Sequence, residues 1–517
     1  MFKAKSVFVK CFLVLIIFSS LACQKGNRTD HLLHVAIKAP PLNLDPRLAT
    51  DGTGFKLSKL IFNGLFRLNE KLELVPDLLE SYQQKTSNTY HFVLRKEVRF
   101  HNGKELTADD VLYTYNSILK DEVASPFKSA FEKVKTIQQE GKYEFSISLQ
   151  EPYAPFLTAL SLGIVPKEEV LKLKDDFTRH PIGTGQYQFV QWQDDAFVEL
   201  KAFPQAFQGI PKNAGIRFDI LKDDNLLVLK LLKGDVDLAL NGVPPVLLEK
   251  VKQKENINVL SDFGITVSYL GMNLENPILK QTKVRKAIAL ALNRDELIVH
   301  YRKGYARKAN SILSPSNWAY NKDLPQIQYD QKEAMRLLDE AGYPDPDGNG
   351  PKPRFSLQYK TSSSKERIEI AQMIARQLGQ IGVEVAVQSY EWGTFFDDIK
   401  KGNFELYSLQ WVGVTEPDLL YDIFYSKNLP PEGLNRGRYK NKALDPILLA
   451  ARKAQTPEAR RKYYLEAQSI LFTELPLIPL WYEDNVVAFW NTIEGVHLSP
   501  DASFKMLAEL TKQAGKH

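Results

Sequence analysis

The sequence predicts an α/β protein with more than one lobe, because of its length and its patterning. The chain has 517 residues, which exceeds what one hydrophobic core usually serves, so we expect two to four lobes of roughly 100 to 200 residues each. Residues 355–387 alternate apolar and polar side chains, then place apolar residues at helical spacing, then alternate again. A strand, a helix and a strand in this order predict a right-handed unit with parallel strands, which is typical of α/β folds.

Strands and helices are mixed along the rest of the chain. Alternating apolar side chains predict strands at 35–37, 90–94 and 143–149. Thr107, with Asp110 three residues later, has the pattern of a capping box, and apolar side chains at helical spacing follow it. We therefore expect a helix that begins after Thr107.

A second helix is predicted between residues 284 and 292, where apolar side chains fall on one face. Its charged neighbours Arg285 and Arg294 lie outside this stripe in the pattern. Gly382 stands where the helix of the strand-helix-strand unit is expected to stop.

The composition is that of an ordinary globular protein, with 44% hydrophobic and 25% charged residues. No dense basic face is evident, so binding to nucleic acid is not expected. The first residues are different: Lys3, Lys5 and Lys10 precede an apolar run at 11–18 that leads into small residues. This pattern predicts a signal peptide over 1–22, because the run is shorter than the about 20 apolar residues that a bilayer-spanning helix needs. Its removal lowers the formal net charge from +5 to +2.

Leu21-Ala22-Cys23 resembles the bacterial lipobox, in which the cysteine becomes the lipidated first residue of the mature chain. Ser20 stands where that motif usually has an aliphatic residue, and ordinary secretory cleavage with Cys23 unmodified is the alternative. Cys11 would leave with the signal peptide, so no thiol remains for a disulfide. The polar residues 23–31 are expected to form a tether between the lipid and the folded body.

The usual sequence patterns of catalytic sites are absent. The sequence contains no Gly-x-Ser-x-Gly elbow, no His-Glu-x-x-His, no phosphate-binding Gly-x-x-x-x-Gly-Lys and no Cys-x-x-Cys.

Its eight histidines are scattered, and of these only His31 and His34 are close together. Residues 345–350 imitate the start of a calcium loop, but Ser356 replaces the bidentate glutamate, which favours a plain turn. We expect no enzyme, no cofactor and no metal site. The segment 183–185 is interpreted as a tight turn that leads into a strand.

Several runs resemble the extracellular solute-binding protein family 5, the oligopeptide, dipeptide and nickel binding lipoproteins of ABC importers. Their order and spacing match that family over nearly the whole mature chain, and the run 94–111 is the most specific of them. The matching runs are 44–46, 62–66, 76–78, 94–111, 180–187, 234–237, 284–287, 293–295 and 337–343.

This resemblance implies a periplasmic binding protein-like fold (class II, cluster C), in which two α/β lobes joined by a hinge carry an extra inserted domain. The implied organisation is a signal peptide at 1–22, a lipidated tether at 23–31, a discontinuous lobe I at 32–62, 181–267 and 484–517, an extra domain at 63–180 and lobe II at 268–483. Residues carried over as ligand-binding are Asn241, Gly242, Tyr269, Asn273, Trp392, Trp411 and Val412. Core packing is the alternative role for the aromatic members.

The chain departs from the family at the ligand's amino group. Oligopeptide-binding relatives have an aspartate shortly after the position of Trp411, whereas this chain has Gly413, Val414 and Thr415. Glu416 or Asp418 would substitute if the loop were arranged differently. Ile399 and Ser408 stand where those relatives carry arginines.

The function implied by the resemblance is that of a substrate-binding lipoprotein. It would be exported to a periplasmic or other extracytoplasmic site, anchored to the membrane through Cys23, and would act as a monomer. It would capture a peptide or other small organic solute by hinge closure and deliver it to ABC permease and ATPase subunits. A ligand sensor of the same fold without transport is the alternative, and a secreted hydrolase is a third hypothesis.

Overall fold

A computed structural model describes residues 32–513 except Asp121 and Asn349. The predicted signal peptide, Cys23, the tether and His31 lie outside the described residues, so these assignments stay predictions. Among the helices of the described part, none has both the length and the apolar composition needed to traverse a bilayer.

The strands of the described chain are numbered in the order of the sequence. They are β1 (Leu33–Ile37), β2 (Phe66–Leu68), β3 (Leu74–Pro76), β4 (Leu79–Thr86), β5 (Thr89–Leu94), β6 (Val134–Gln139), β7 (Glu144–Leu149), β8 (Tyr187–Gln193), β9 (Phe197–Ala202), β10 (Gly215–Ile220), β11 (Leu238–Leu240), β12 (Ile257–Met272), β13 (Ala306–Lys308), β14 (Phe355–Ser362), β15 (Val383–Tyr390), β16 (Leu406–Trp411), β17 (Leu477–Trp490), β18 (Ile493–Glu494) and β19 (Thr511–Lys512).

The helices lie between these strands. They are α1 (Gly52–Ile61), α2 (Ala108–Leu119), α3 (Lys128–Phe131), α4 (Phe156–Ala159), α5 (Lys167–Leu173), α6 (Asp224–Lys233), α7 (Pro245–Lys252), α8 (Thr282–Ala291), α9 (Arg294–Arg302), α10 (Gln331–Glu340), α11 (Lys365–Gly379), α12 (Trp392–Lys401), α13 (Leu419–Phe424), α14 (Leu444–Lys453) and α15 (Pro457–Glu474), with 3-10 turns at Lys174–Thr178 and Phe504–Glu509.

A long mixed sheet runs through the molecule in the strand order β15, β14, β16, β12, β17, β11, β1, β10, β9 and β8, with β13 paired to β17 beside this path. At one end β14 is parallel to β15 and β16, and at the other β1 is parallel to β10 and β11. An antiparallel sheet of β4, β5, β7 and β6 lies apart from it. The predicted α/β class is confirmed, including the strand-helix-strand unit, which is β14, α11 and β15.

The local predictions in the first half are also confirmed. The patterns at 35–37, 90–94 and 143–149 fall on β1, β5 and β7. The Asp110 carboxylate accepts hydrogen bonds from the Thr107 backbone N–H at 3.0 Å and from its hydroxyl at 3.1 Å, at the start of α2. This is the carboxylate half of the predicted capping box.

Buried apolar side chains of the described residues form three clusters. The first core lies within residues 267–482. The second core combines 33–62, 165–257 and 486–510 with Tyr305, and the third core lies within 65–164. The buried residues Val165, Val170 and Phe177, which we expected in the extra domain, belong to the second core. The boundaries of lobe I, lobe II and the extra domain stay predictions.

β12 and β17 carry the long sheet from the second core to the first. β12 up to Phe263 pairs with the end of β17, and β12 from Thr266 onward pairs with its start. The register shifts between these two residues and again after Ser268. Gly264 lies within the first shift, and a Cβ there would overlap the carbonyl oxygen of Glu483. Such irregularities weaken a ladder locally, so the bulge is the natural place for the sheet to bend.

Two arginines that the pattern places outside the apolar stripe are buried. Arg285 and Arg294 are only 3% and 2% exposed. The Arg294 guanidinium donates to the backbone carbonyls of Ala309, Ile327 and Pro479 at 2.5 to 3.1 Å. Burial lowers the Arg294 pKa to about 10. Buried cations need this dense set of acceptors, and the carbonyls come from segments far away in the sequence.

His101, in the run 94–111, joins the third core to the second. Its Nδ1 accepts from the Gly183 backbone N–H at 3.2 Å, so Nε2 carries the proton and donates to the Gly185 carbonyl at 3.0 Å. The ring also packs edge-on against Phe203 at 4.9 Å between centroids. The imidazole is therefore held neutral, and burial lowers its pKa from 6.5 to about 4.

Acid is expected to destabilise the protein through His101. A folded-state pKa below the unfolded value means that the stabilisation is complete above pH 6.5 and is lost as the pH falls toward 4. The shift corresponds to roughly 3 kcal/mol. Urea unfolding of wild type and His101→Gln is measured at pH 7 and pH 4.5. Between these two pH values, wild type should lose more of its free energy of unfolding than His101→Gln. The control variant His497→Gln should lose as much free energy of unfolding between the two pH values as wild type does. Equal losses for wild type and His101→Gln would contradict a lowered pKa of His101.

Candidate functional site

A cavity of about 420 Å³ lies where the three cores meet. Its walls come from α1 of the second core, from residues 127–163 of the third core, and from the loop 411–422 after β16 in the first core. Small-molecule sites in proteins are commonly of this size. We call this space the first cavity.

Much of the first cavity is lined by aromatic side chains. Phe55 and Phe62 contribute from the side of α1, and Phe127, Phe131 and Tyr153 from the third core. Apolar walls of this kind stabilise an apolar ligand group by removing its surface from water.

Two carboxylates of the opposite wall are neutralised by arginines. Glu416 forms an ion pair with Arg460 at 2.6 Å, and Asp418 forms one with Arg452 at 3.1 Å. Burial nevertheless raises the pKa of Asp418 to about 7. These carboxylates are the substitutes that the sequence suggested for the missing aspartate, and both line the first cavity.

Asp422, on α13, is the third carboxylate of that wall. Its side chain forms no hydrogen bond or ion pair within the described part of the chain. Burial raises its pKa to about 6; the charge of Arg452 partly opposes this rise, and the charge of Glu416 adds a smaller rise. A partly buried carboxylate without a partner is a natural site for a cationic ligand group.

Lys59 provides a cation on the α1 side of the first cavity. Its Nζ donates to the Ser161 carbonyl at 2.6 Å and lies 5.2 Å from the centroid of the Phe55 ring. Burial, together with the charge of Lys505, lowers the Lys59 pKa to about 8. The first cavity therefore has a cation and an anion on facing walls.

Hydrogen bonds cross the cavity margin between the third and first cores. The Thr158 hydroxyl donates to Glu416 at 2.8 Å, and Arg452 donates to the Tyr153 hydroxyl at 3.1 Å. The Ala154 backbone N–H donates to the Arg452 carbonyl at 2.8 Å. These contacts hold the acidic wall against the third core.

A second cavity, of about 220 Å³, lies beside β16 on the first core and is more polar. Arg302 in it is paired with Glu366 at 3.2 Å and with Glu483 at 2.6 Å. Arg367, at the start of α11, also lines it and forms no ion pair within the described residues. Ser408, one of the departures from the family, faces this cavity as well.

Trp411 and Val412, two of the predicted ligand-binding residues, line the first cavity. The Trp411 ring stacks on Tyr269 with a centroid distance of 5.9 Å and an interplanar angle of 9°. The Arg436 guanidinium lies 4.6 Å from the Trp411 ring centroid. Tyr269 itself is buried behind this stack. The loop after Trp411 is tied to the bulge of β12, since the Val414 N–H donates to the Ile265 carbonyl at 3.2 Å.

The other predicted residues lie elsewhere. The Asn241 amide donates to Asn485 at 3.0 Å and accepts from the Val486 N–H at 2.7 Å, so it connects β11 to β17, and Gly242 follows it. Asn273 donates to the carbonyls of residues 402 and 404. Ligand contact by these residues remains a prediction.

Trp392 lies on α12 and is 47% exposed. It stacks on Phe396 at a centroid distance of 5.6 Å, and the Arg367 guanidinium lies 5.3 Å from its ring. It thus adjoins the second cavity rather than the first, and its ligand role also stays a prediction.

Sequence reasoning missed Lys59 and Asp422. Asp422 is the one charged residue of α13, whereas α1 carries both Lys56 and Lys59, and no motif marks Lys59 or Asp422. The His91 Nε2 atom lies 3.0 Å from Glu140 and 3.6 Å from Glu144 on the outer face of the small sheet. These ligand atoms could hold a metal, but ion pairing among exposed groups accounts for the arrangement.

A family model described as bacterial extracellular solute-binding proteins, family 5, matches residues 73–429 of the chain. The chain belongs to this family. Its relatives are solute-binding proteins and not enzymes, and the periplasmic binding protein-like fold expected from the resemblance is confirmed.

Three relatives illustrate the match. The oligopeptide-binding protein AppA of Bacillus subtilis is 30% identical over 471 residues, which cover 87% of this chain and 86% of AppA. Its structure in complex with a nonapeptide has a TM-score of 0.75 at 28% identity and covers 93% of this chain and 98% of that one. The glutathione-binding protein GsiB of Salmonella choleraesuis is 29% identical over 499 residues, with 91% and 92% of the two chains covered. NikZ of Campylobacter jejuni in complex with Ni(L-His) has a TM-score of 0.77 at 28% identity, with 93% and 99% covered.

Proposed function

We propose that this solute-binding protein is a lipoprotein that encloses a peptide or other small organic solute in the first cavity and delivers it to the permease of an ABC importer. The observation that carries the proposal is the origin of the walls, because all three cores contribute to one cavity. A solute there contacts residues of all three cores, so its binding favours the closed arrangement of the lobes.

The chemistry of the cavity favours a peptide-like solute. Aromatic walls suit apolar side chains, while Asp422 and Lys59 offer partners for an ammonium and a carboxylate. AppA in complex with a nonapeptide and the glutathione-binding GsiB are relatives with ligands of this class. Asp422 takes the place of the aspartate that the loop 413–415 lacks.

The bulge in β12 is the proposed hinge. The hydrogen bond between Val414 and Ile265 joins this bulge to the loop that carries Trp411. A bend at Ile265 would therefore move the aromatic and acidic wall of the first cavity together. Lipidation of Cys23 and docking to a permease and an ATPase complete the proposal.

Replacement of Trp411 by alanine is expected to weaken solute binding about tenfold or more, because a large aromatic anchor in the cavity wall is lost. Protein purified without denaturation is first examined by native mass spectrometry for a retained solute. Di- and tripeptides are then tested by thermal unfolding, since a ligand at 100 times its Kd adds about 2.7 kcal/mol of stability.

The matched control is Tyr329→Ala, at an exposed aromatic residue outside both cavities. It should leave affinity unchanged. Recovery of the solute in chemically unaltered form supports a binding function. Absence of any retained solute together with absence of stabilisation by every peptide would reject the proposed ligand class, and a covalently changed solute would reject the function.

A further inference from the structure

Lys59 is a half-buried cation that has no acidic hydrogen-bond partner among the described residues. It belongs to α1, lines the first cavity, and its hydrogen bond within the described residues is to the neutral carbonyl of Ser161 at 2.6 Å. No ion pair of Lys59 occurs in the described chain. A lysine in such surroundings is stabilised by an anion that joins it.

Neighbouring charges strengthen this demand for an anion. Lys505 lies in the 3-10 turn at Phe504–Glu509. Burial lowers the pKa of Lys59, and the like charge of Lys505 lowers it further. Asp77 and Asp501 act in the opposite direction but are weaker. The pKa of Lys505 is itself lowered by burial. Two lysines thus lie on this side of the cavity, and Lys59 forms no ion pair with either carboxylate within the described residues.

The facing wall carries the complementary charge. Glu416 and Asp418 are each paired with an arginine, whereas Asp422 is not. The first cavity is therefore lined by one cation and one anion that form no ion pair within the described residues, Lys59 on α1 and Asp422 on α13.

We infer that Lys59 is the counter-ion of an anionic group of the bound solute, and that this solute is a compact dipolar molecule whose ammonium and carboxylate both lie inside the first cavity. The inference rests on the proposed function and narrows its ligand class to short, dipeptide-sized solutes. A cavity of about 420 Å³ with both charges on its walls contains such a molecule completely.

Arg367 offers the competing site for the anionic group. It lines the second cavity, beyond β16, and is also without an ion pair among the described residues. A longer, extended solute would pass Trp411 and place its carboxylate there instead. The two cations therefore distinguish a compact ligand from an extended one.

The test uses the dipeptide Leu-Phe and its C-terminal amide with four proteins: wild type, Lys59→Met, Arg367→Met and the control Lys201→Met, which changes an exposed lysine of β9. Affinities are measured by isothermal titration calorimetry. For wild type, Arg367→Met and Lys201→Met, we expect amidation of the dipeptide to weaken binding at least tenfold. For Lys59→Met we expect the dipeptide and its amide to bind alike, with the dipeptide weakened to the level of the amide.

Other results overturn the inference in distinguishable ways. If Lys59→Met still discriminates against the amide, or if discrimination is lost in Arg367→Met instead, the role of Lys59 is rejected while the peptide-binding function stands. If wild type binds neither probe, the dipeptide-sized ligand class is rejected, and the tripeptides and the native mass spectrometry of the preceding experiment then decide the proposed function separately. Lys59→Gln and a thermal unfolding curve for each variant exclude a folding defect as the cause.

Discussion

Replacing Arg285 by methionine is expected to lower the free energy of unfolding by at least about 3 kcal/mol, because several buried carbonyls lose a charged donor at once. The guanidinium donates to the carbonyls of Glu474 and Leu475 at the end of α15, and to those of Leu279 and Lys280 before α8, at 2.6 to 3.0 Å. Methionine fills similar volume but supplies no donor.

Chemical denaturation of wild type and variant measures this effect. The matched control is Arg376→Met, whose arginine is 61% exposed and pairs with Glu296 at 3.3 Å. An exposed pair of this kind contributes about 0 to 1 kcal/mol. If the two variants lost the same small amount, the carbonyl contacts of Arg285 would contribute little to stability.

Gly183→Ala is expected to destabilise the protein by about 3 kcal/mol, at the upper end of the usual effect of overpacking. A Cβ at this position would overlap the carbonyl oxygen of Ile61 at the end of α1, and a backbone atom cannot move aside as a side chain can. Both ring nitrogens of His101 form hydrogen bonds with this turn, at Gly183 and Gly185. A displacement of the turn would therefore disturb these hydrogen bonds as well.

The comparison variant is Gly379→Ala, at the end of α11, where a Cβ would meet no atom within 4 Å. It should be neutral or slightly stabilising, since alanine favours a helix more than glycine does. Thermal and urea unfolding of both variants check the contrast. A Gly183→Ala protein as stable as wild type would mean that α1 and the turn separate readily.

Periodic patterns in the sequence predicted the elements well, because alternation and helical spacing depend only on neighbours along the chain. The strand-helix-strand unit and the capping box at Thr107 were found in this way. Arg285 and Arg294 show the limit of that reasoning, since periodicity treats a charge as a surface feature. Their carbonyl acceptors come from other segments, and no local pattern contains them.

The site was predicted only where a resemblance could supply residues. Trp411 and Val412 do line the first cavity, whereas Asn241 bridges two strands through hydrogen bonds. Lys59 on α1 and Asp422 on α13 are far apart in the sequence, and the fold brings both to the wall of one cavity. A pair of charges becomes recognisable as a site when burial and the absence of partners are known, and neither can be derived from spacing.

The shared strands β12 and β17 have a consequence for how this molecule can be divided. Both strands extend into each half of the long sheet, so dividing the molecule at the bulge would cut β12 near Gly264 and β17 near Glu483, each within the strand. An excised half would expose unpaired backbone N–H and C=O groups at its sheet edge, and such an edge readily pairs with strands of other chains. The molecule is therefore one covalent and structural whole, in spite of its separate cores.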